Sequence, residues 1–346
     1  MTAAAVTLLA VSSFASCSTG DGSGDSSTER TATTSTSRAR RTPGSSPATS
    51  PTAPSRATQP IVADAGWQLP SARDREVALT DGTSVWLLGG RDPAKTSRTS
   101  VLQIDPTTGA SSQVGDLPVG VHDAAGARLG GRLIVFGGGN SSTVATIQAF
   151  VPESGGSVIG DMPQARSDLA TVTVGDRAYV LGGFDGTSFT PDVIQTTDGT
   201  SFTTVSSLPV PVRYPAAAVL DGKLYVFGGG LSGGSESATG DSTAIQEIDI
   251  VSGRARVLAE LPHTLSHSTA VTVDGEVFVL GGRVDGAVSP QVWHFDRDAG
   301  ALVAAGELPV AVSDSAAVVV RGVAYLLGGE SAADEPVASV ATLRTG

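Results

Sequence analysis

The chain of 346 residues has a single cysteine, Cys17, which rules out an internal disulfide framework. Lysine is nearly absent: Lys95 and Lys223 are the only two, and arginine supplies the remaining basic charge. Residues 18–60 lack Val, Ile, Leu, Met, Phe, Trp and Tyr altogether. Such a stretch has no apolar surface to offset its ordering entropy, so it is expected to be a disordered Ser/Thr/Pro-rich linker. Beyond Cys17 no run of about 20 apolar residues occurs, so no later segment is expected to span a bilayer as a helix. Positive charge is also scarce. The linker holds Arg30, Arg38, Arg40, Arg41 and Arg56 against Asp21, Asp25 and Glu29, which leaves 17 basic and 31 acidic residues in 61–346. A surface with that balance repels phosphate backbones, so nucleic acid is excluded as an expected partner.

What is present at the start is an address. Residues 3–16, AAAVTLLAVSSFAS, form a short apolar run ending in small residues, too short for a membrane span and suited to a signal-peptide core. The sequence Phe14-Ala15-Ser16-Cys17 resembles a bacterial lipobox, with Phe where Leu is usual. The resemblance implies lipidation at Cys17, and several acyl chains hold a protein stably where one is marginal. Residues 1–17 are thus read as signal peptide and lipobox, with 18–60 as a spacer. The expected location is extracytoplasmic and membrane-anchored, or alternatively secreted after cleavage near Ala15.

From residue 61 onward one unit recurs. Six strings end in a glycine pair: VWLLGG (85–90), LIVFGG (133–138), AYVLGG (178–183), LYVFGG (224–229), VFVLGG (277–282) and AYLLGG (324–329). Leu69, Leu117, Met162, Leu208, Leu261 and Leu308, each followed by Pro, precede the first glycine of their pair by 20 residues in all six copies. Each unit reads as four short strands. The first is small and β-branched, as in LATVTV (169–174) or SAAVVV (315–320). Asp-Gly turns at 81–82, 221–222 and 274–275 are strong hairpin signals. The second strand runs into the glycine pair, the third includes VLQID (101–105) and VATLR (340–344), and the fourth leads to the next Leu-Pro. The last unit stops after its third strand, and the segment 66–70, GWQLP, is the expected missing fourth strand. The glycines are expected where backbones approach closely.

A repeat near 48 residues, with a hydrophobic strand into Gly-Gly and Leu/Met-Pro before the next copy, resembles Kelch repeats. Trp67 is the only counterpart of the tryptophan usual in the fourth strand, and the tyrosine usual in the third is missing. The resemblance implies an all-β fold: a six-bladed Kelch-type β-propeller over 61–346, closed by an N-terminal strand that completes the last blade, and a monomer.

In that architecture the loops before the first strands rim the channel mouth. The rim reads Arg73-Asp74, His122-Asp123, Ser167-Asp168, Arg213-Tyr214, Ser266-His267 and Ser313-Asp314. The loops after the glycine pairs add Arg91, Asp92, Asn140, Phe184, Asp185, Arg283, Asp285 and Glu330, and the long Gly/Ser-rich loop 230–244 is a candidate lid. Asp74, Asp123, Asp168 and Asp314 are read as equivalent. Either they make a negative mouth for a cation, amine or polyol, or they satisfy loop amides. Arg73, Arg166, Arg213 and Arg283 could grip a carboxylate or pair with those aspartates. Tyr214 and Phe184, with Trp86 beneath, are the aromatics expected near the mouth.

These features favour a non-catalytic binding scaffold for an extracellular protein, peptide or glycan, with no catalytic residue, metal set or cofactor assigned. A structural envelope protein is a further alternative. Copper oxidase chemistry on Kelch-type repeats needs a Cys–Tyr crosslink, and Cys17 lies outside the domain; His122, His263, His267 and His294 show no ligand spacing. A sugar epimerase or mutarotase resembling sialic-acid epimerases would need only an acid with an arginine, and Glu330 with Arg91 or Arg283 would serve.

Overall fold

The computed structural model describes residues 59–231 and 240–346. All of them belong to one compact unit, which begins at Pro54. Cys17, the leader and the linker through residue 58 lie outside the described residues, as do 232–239 in the centre of the 230–244 loop.

The described residues form 27 strands and no α-helix. The described residues open with β1 (Ile61–Asp64). The first full sheet is β2 (Val77–Thr80), β3 (Val85–Leu88), β4 (Ser100–Ile104) and β5 (Ser111–Asp116). The second is β6 (Ala125–Leu129), β7 (Arg132–Phe136), β8 (Thr146–Val151) and β9 (Gly155–Asp161). The third is β10 (Ala170–Val174), β11 (Arg177–Leu181), β12 (Asp192–Thr196) and β13 (Thr203–Ser207), and the fourth is β14 (Ala216–Leu220), β15 (Lys223–Phe227), β16 (Ala244–Asp249) and β17 (Ala255–Glu260). After β18 (Leu265–Ser266) comes the fifth, β19 (Thr269–Val273) and β20 (Glu276–Leu280). The short β21 (Arg283–Val284) and β22 (Ala287–Val288) precede its outer strands β23 (Gln291–Asp296) and β24 (Ala301–Glu307). The last strands are β25 (Ala316–Val320), β26 (Val323–Leu327) and β27 (Val340–Arg344).

Strands pair antiparallel in sequence order within five four-stranded sheets, and the sixth runs β1-β27-β26-β25. The first described strand, β1, thus lies on the last, β27, with Ile61 opposite Arg344 and Asp64 opposite Ala341. This differs from the expected segment 66–70. Asp64 Oδ1 accepts the Gly66 N–H at 2.6 Å, and Gly66 takes a left-handed φ of 79°, so the strand ends before Trp67. The Trp67 ring instead packs over Gly109, where a Cβ would touch it.

Second strands such as Val85–Leu88 are buried on both faces, because each is covered by neighbouring sheets. Six hydrophobic clusters lie between consecutive sheets; one of them joins Val85, Leu87 and Ile104 of the first to Val318, Leu327 and Val340 of the sixth. This arrangement is consistent with a β-propeller. Outer strands β5, β9, β13, β17 and β24 each pair with a register shift. A bulge bends an edge away from further pairing and limits edge-to-edge association.

The Asp-Gly turns split. Asp221-Gly222 and Asp274-Gly275 have left-handed φ at both positions and make two-residue hairpins. Asp81-Gly82 does not. Asp81 Oδ1 accepts the N–H groups of Thr83 and Ser84, each at 2.8 Å, and the loop is longer. The sheet β18-β21-β22 is a second departure from the four-strand unit.

The glycine pairs are contacts between consecutive units. A Cβ on Gly89 would stand 2.5 Å from Val121 O, and one on Gly328 would stand 2.5 Å from Arg73 O. The N–H of each second glycine donates to that same carbonyl of the following unit, from Gly90 to Val121 O (2.8 Å) through Gly329 to Arg73 O (2.9 Å).

Candidate functional site

Counting 14 residues back from each first glycine gives Arg75, Asp123, Asp168, Tyr214, His267 and Asp314. All six have φ between 49° and 59°. Their backbones form a circuit of N–H···O=C bonds: Asp123 to Arg75 (3.2 Å), Asp168 to Asp123 (2.8 Å), Tyr214 to Asp168 (2.8 Å), His267 to Tyr214 (3.2 Å), Asp314 to His267 (2.9 Å) and Arg75 to Asp314 (2.9 Å). The first unit therefore departs from the expected register. Its counterpart of Asp123, Asp168 and Asp314 is Arg75, whereas Asp74 bridges Arg91, as His122 bridges Gly139 and Ser313 bridges Glu330.

Arg75 occupies the centre of this circuit. Its Nη1 donates to the phenol oxygen of Tyr214 (2.7 Å), three steps away round the circuit, and to both carboxylate oxygens of Asp123 (3.3 Å). Its other nitrogens reach Asp314 (3.6 Å) and Glu330 (3.8 Å). Arg213 lies on Asp168 (3.1 Å), donates to Tyr214 OH (3.0 Å) and sits over both the Tyr214 and Phe184 rings. Tyr214 stacks on His267 with centroids 3.8 Å apart. His267 Nδ1 is 2.7 Å from Asp314 Oδ1, and Ser313 Oγ donates to Asp314 Oδ2 (2.9 Å). A second tier surrounds this one. Arg91 grips Asp74 with two bonds of 2.9 Å and donates to Glu330 (2.7 Å), which also accepts from Arg283 (3.0 Å). His122 Nδ1 meets Ser97 Oγ at 2.8 Å, and its Nε2 is 3.5 Å from Asp123.

Burial shapes the charge states. It pushes Asp168 up to about 7, helped by neighbouring Asp123 and opposed by Arg213. It also raises Glu330, with Asp314 adding to the effect, raises the Tyr214 phenol and lowers His122. At Asp314 burial also acts upward, but Arg75, His267 and their hydrogen bonds together hold the carboxyl well below the usual range. The acidic mouth open to a cation is thus not what forms: the carboxylates face arginines and His267. Among the described residues no group of three or more acids, histidines and cysteines is arranged to hold a metal.

Below the circuit lies a chamber of about 220 Å³. Its walls include Ala78, Gly126, Thr171, Ala217, Ala270 and Ala317, whose side chains are short. Several residues expected at the mouth sit elsewhere. Arg73 and Arg166 are buried in the body of the sheets, where Arg73 donates to Gly89 O (3.3 Å) and Arg166 to Asp192 O (2.8 Å). Trp86 belongs to the hydrophobic cluster between the first and second sheets. Asp92 and Asp185 accept loop amides, and Asp285 accepts from Thr264 and meets His263. Asn140 donates to Gly120 O.

Glu76 is the residue that sequence reading passes over. It lines the chamber, and both carboxyl oxygens are buried without a hydrogen-bond partner. Burial pushes its pKa up to about 8 against the pull of Arg73. A folded-state value above the unfolded 4.5 means that stability is fully present below pH 4.5 and is lost as pH rises through 8. Glu76→Gln removes that titration, so between those pH values its stability profile flattens by roughly 5 kcal/mol relative to wild type. Urea titrations across the window read the difference; parallel profiles would mean that Glu76 is ionised and accommodated in the fold.

No family model matches the chain, and no curated protein matches it. Among solved structures it is similar to that of YjhT, at 15% identity and a TM-score of 0.67, over 81% of this chain and 100% of that one. At that identity the likeness carries the fold alone: an all-β body of antiparallel four-stranded sheets, consistent with a β-propeller.

Proposed function

We propose that the chain is a closed six-bladed Kelch-type propeller that serves as a non-catalytic extracytoplasmic binding scaffold, held at the membrane by lipid on Cys17 and taking its ligand at the channel mouth. Ring closure is supported by the backbone circuit through Arg75 and Asp314, by the Gly329 bond to Arg73 O and by the pairing of β1 with β27. The binding reading rests on one observation. Six positions with left-handed φ, where glycine would be cheaper by roughly 1 kcal/mol each, instead carry Arg, Asp, Asp, Tyr, His and Asp converging on one chamber. Backbone strain of this kind concentrates at functional sites.

Glycan and peptide arrays probed with the full chain test the reading. Signal on an array member should vanish in a Tyr214→Phe, His267→Phe double variant that melts like wild type; signal that survives places binding elsewhere. For the anchor, Cys17→Ser should move the chain from the membrane fraction to the soluble one. A second reading, a sugar epimerase or mutarotase, is favoured by Glu330 between Arg91 and Arg283 and by Asp168 at about 7, near the range useful for proton transfer. Exchange of sugar anomers followed by NMR, accelerated by the chain and slowed by Glu330→Gln, would support it; no acceleration removes it.

A further inference from the structure

We infer that the channel mouth is built for an uncharged, hydroxyl-rich ligand of single-ring size, with His267 Nε2 hydrogen-bonded to one of its hydroxyls. This rests on the mouth being the binding site, as proposed above. The carboxylates there are already paired. Asp74 is held by Arg91, Asp123 and Asp314 by Arg75, Asp168 by Arg213, and Glu330 by Arg91, Arg283 and Lys95. An ionic ligand would have to break one of these buried pairs and leave its counter-charge unpaired, which is strongly unfavourable. A hydroxyl both donates and accepts, so it can join such a network without changing its net charge.

His267 supplies the contact. Its Nδ1 lies 2.7 Å from Asp314 Oδ1, and an ionised Asp314 can only accept, so Nδ1 carries its proton toward Asp314 and Nε2 is the ring nitrogen left for a ligand hydroxyl. Nε2 makes no hydrogen bond with the described residues and is not among their sealed, unpartnered polar atoms, so it is open to the chamber that His267 lines. Stacking on Tyr214 fixes the plane of the ring. The chamber of about 220 Å³ falls below the roughly 300–1,000 Å³ of drug-sized sites, which favours one sugar or cyclitol ring over a chain.

Calorimetry of the full-length chain tests this with methyl α-glucopyranoside, methyl β-galactopyranoside and myo-inositol as neutral probes, and glucuronate and glucosamine as charged ones. At least one neutral probe should bind with an affinity insensitive to salt. His267→Phe keeps the stack and removes the ring nitrogen, so that affinity should fall about tenfold, the worth of one hydrogen bond. His267→Gln returns a hydrogen-bonding group and should recover part of the loss. A neutral probe held equally well by His267→Phe overturns the role of His267. Charged probes that bind while all neutral ones are silent overturn the ligand class; if Tyr214→Phe then weakens them, the mouth remains the site, and if it does not, both readings fall. Silence from every probe also overturns the ligand class, and leaves the arrays to decide on the mouth.

Discussion

Arg75→Ala should lower stability at neutral pH by about 3–5 kcal/mol, the cost of stranding buried charge partners. Its guanidinium touches Asp123, Tyr214, Asp314 and Glu330, which come from the second, fourth and sixth units. Without it, among the described residues Asp314 keeps His267 and Ser313, and Asp123 keeps the more distant His122 and Tyr214. The pH dependence has a definite sign. Asp314 is held below its unfolded value of 3.8, so it contributes stability above that value and loses it as pH falls through the folded value. Part of that contribution comes from Arg75, so the gap between wild type and variant should narrow as the carboxylates protonate in acid. Arg75→Lys should rescue little, since one ammonium cannot reproduce a planar fork that serves several partners. Arg75→Gly should lose slightly less than Arg75→Ala, because glycine relieves the left-handed φ of 56°. Denaturant titrations at neutral and acid pH check the set; a loss below about 1 kcal/mol, the worth of a surface pair, would remove Arg75 from the centre of the mouth.

Much of the fold was legible because the repeat repeats its backbone requirements. A glycine pair with left-handed φ, in close approach to the next unit, admits no other residue cheaply, so it recurs and can be counted. The site was legible only in part, for the same reason in reverse. At the rim the shared feature is the backbone conformation, and the side chains differ from unit to unit. Matching Asp74 to the other aspartates by residue type therefore slipped by one; counting 14 from the glycines leads to Arg75. That Arg75 would reach Tyr214 across the circuit is a property of the assembled sheets, with a sequence separation of 139 between them. Arg73 and Arg166 read as mouth residues because buried cations are rare. What draws Arg73 inward is the Gly89 carbonyl, a buried acceptor beside the glycine pair that takes its Nη1 at 3.3 Å. The first strand was misplaced because Gly66 was counted inside it, although a left-handed glycine marks its end.

Deletion of Ile61–Asp64 should be as damaging as loss of Arg75, and in a different way. The four residues pair with Ala341–Arg344, and main-chain bonds at about 1 kcal/mol each put the direct loss at several kcal/mol. Val62 also leaves the cluster that holds Leu343. The consequence for association is the sharper test. In the other five sheets the outer strand shifts register and so protects its edge, whereas β27 pairs with β1 through four successive residues without a shift. Bared, β27 is a straight edge with free N–H and C=O groups, a template for a second copy. The deleted chain should melt at a lower temperature, over a broader range, and sediment as concentration-dependent oligomers. A synthetic peptide spanning 59–70 should reverse both effects by adding a strand to that edge. It carries Leu69, whose N–H donates to Ala338 O at 2.9 Å, and Trp67, whose ring lies against Tyr325. A deletion variant that stayed monomeric and melted with its parent would mean that the first strand decorates the sixth sheet without holding the circle shut.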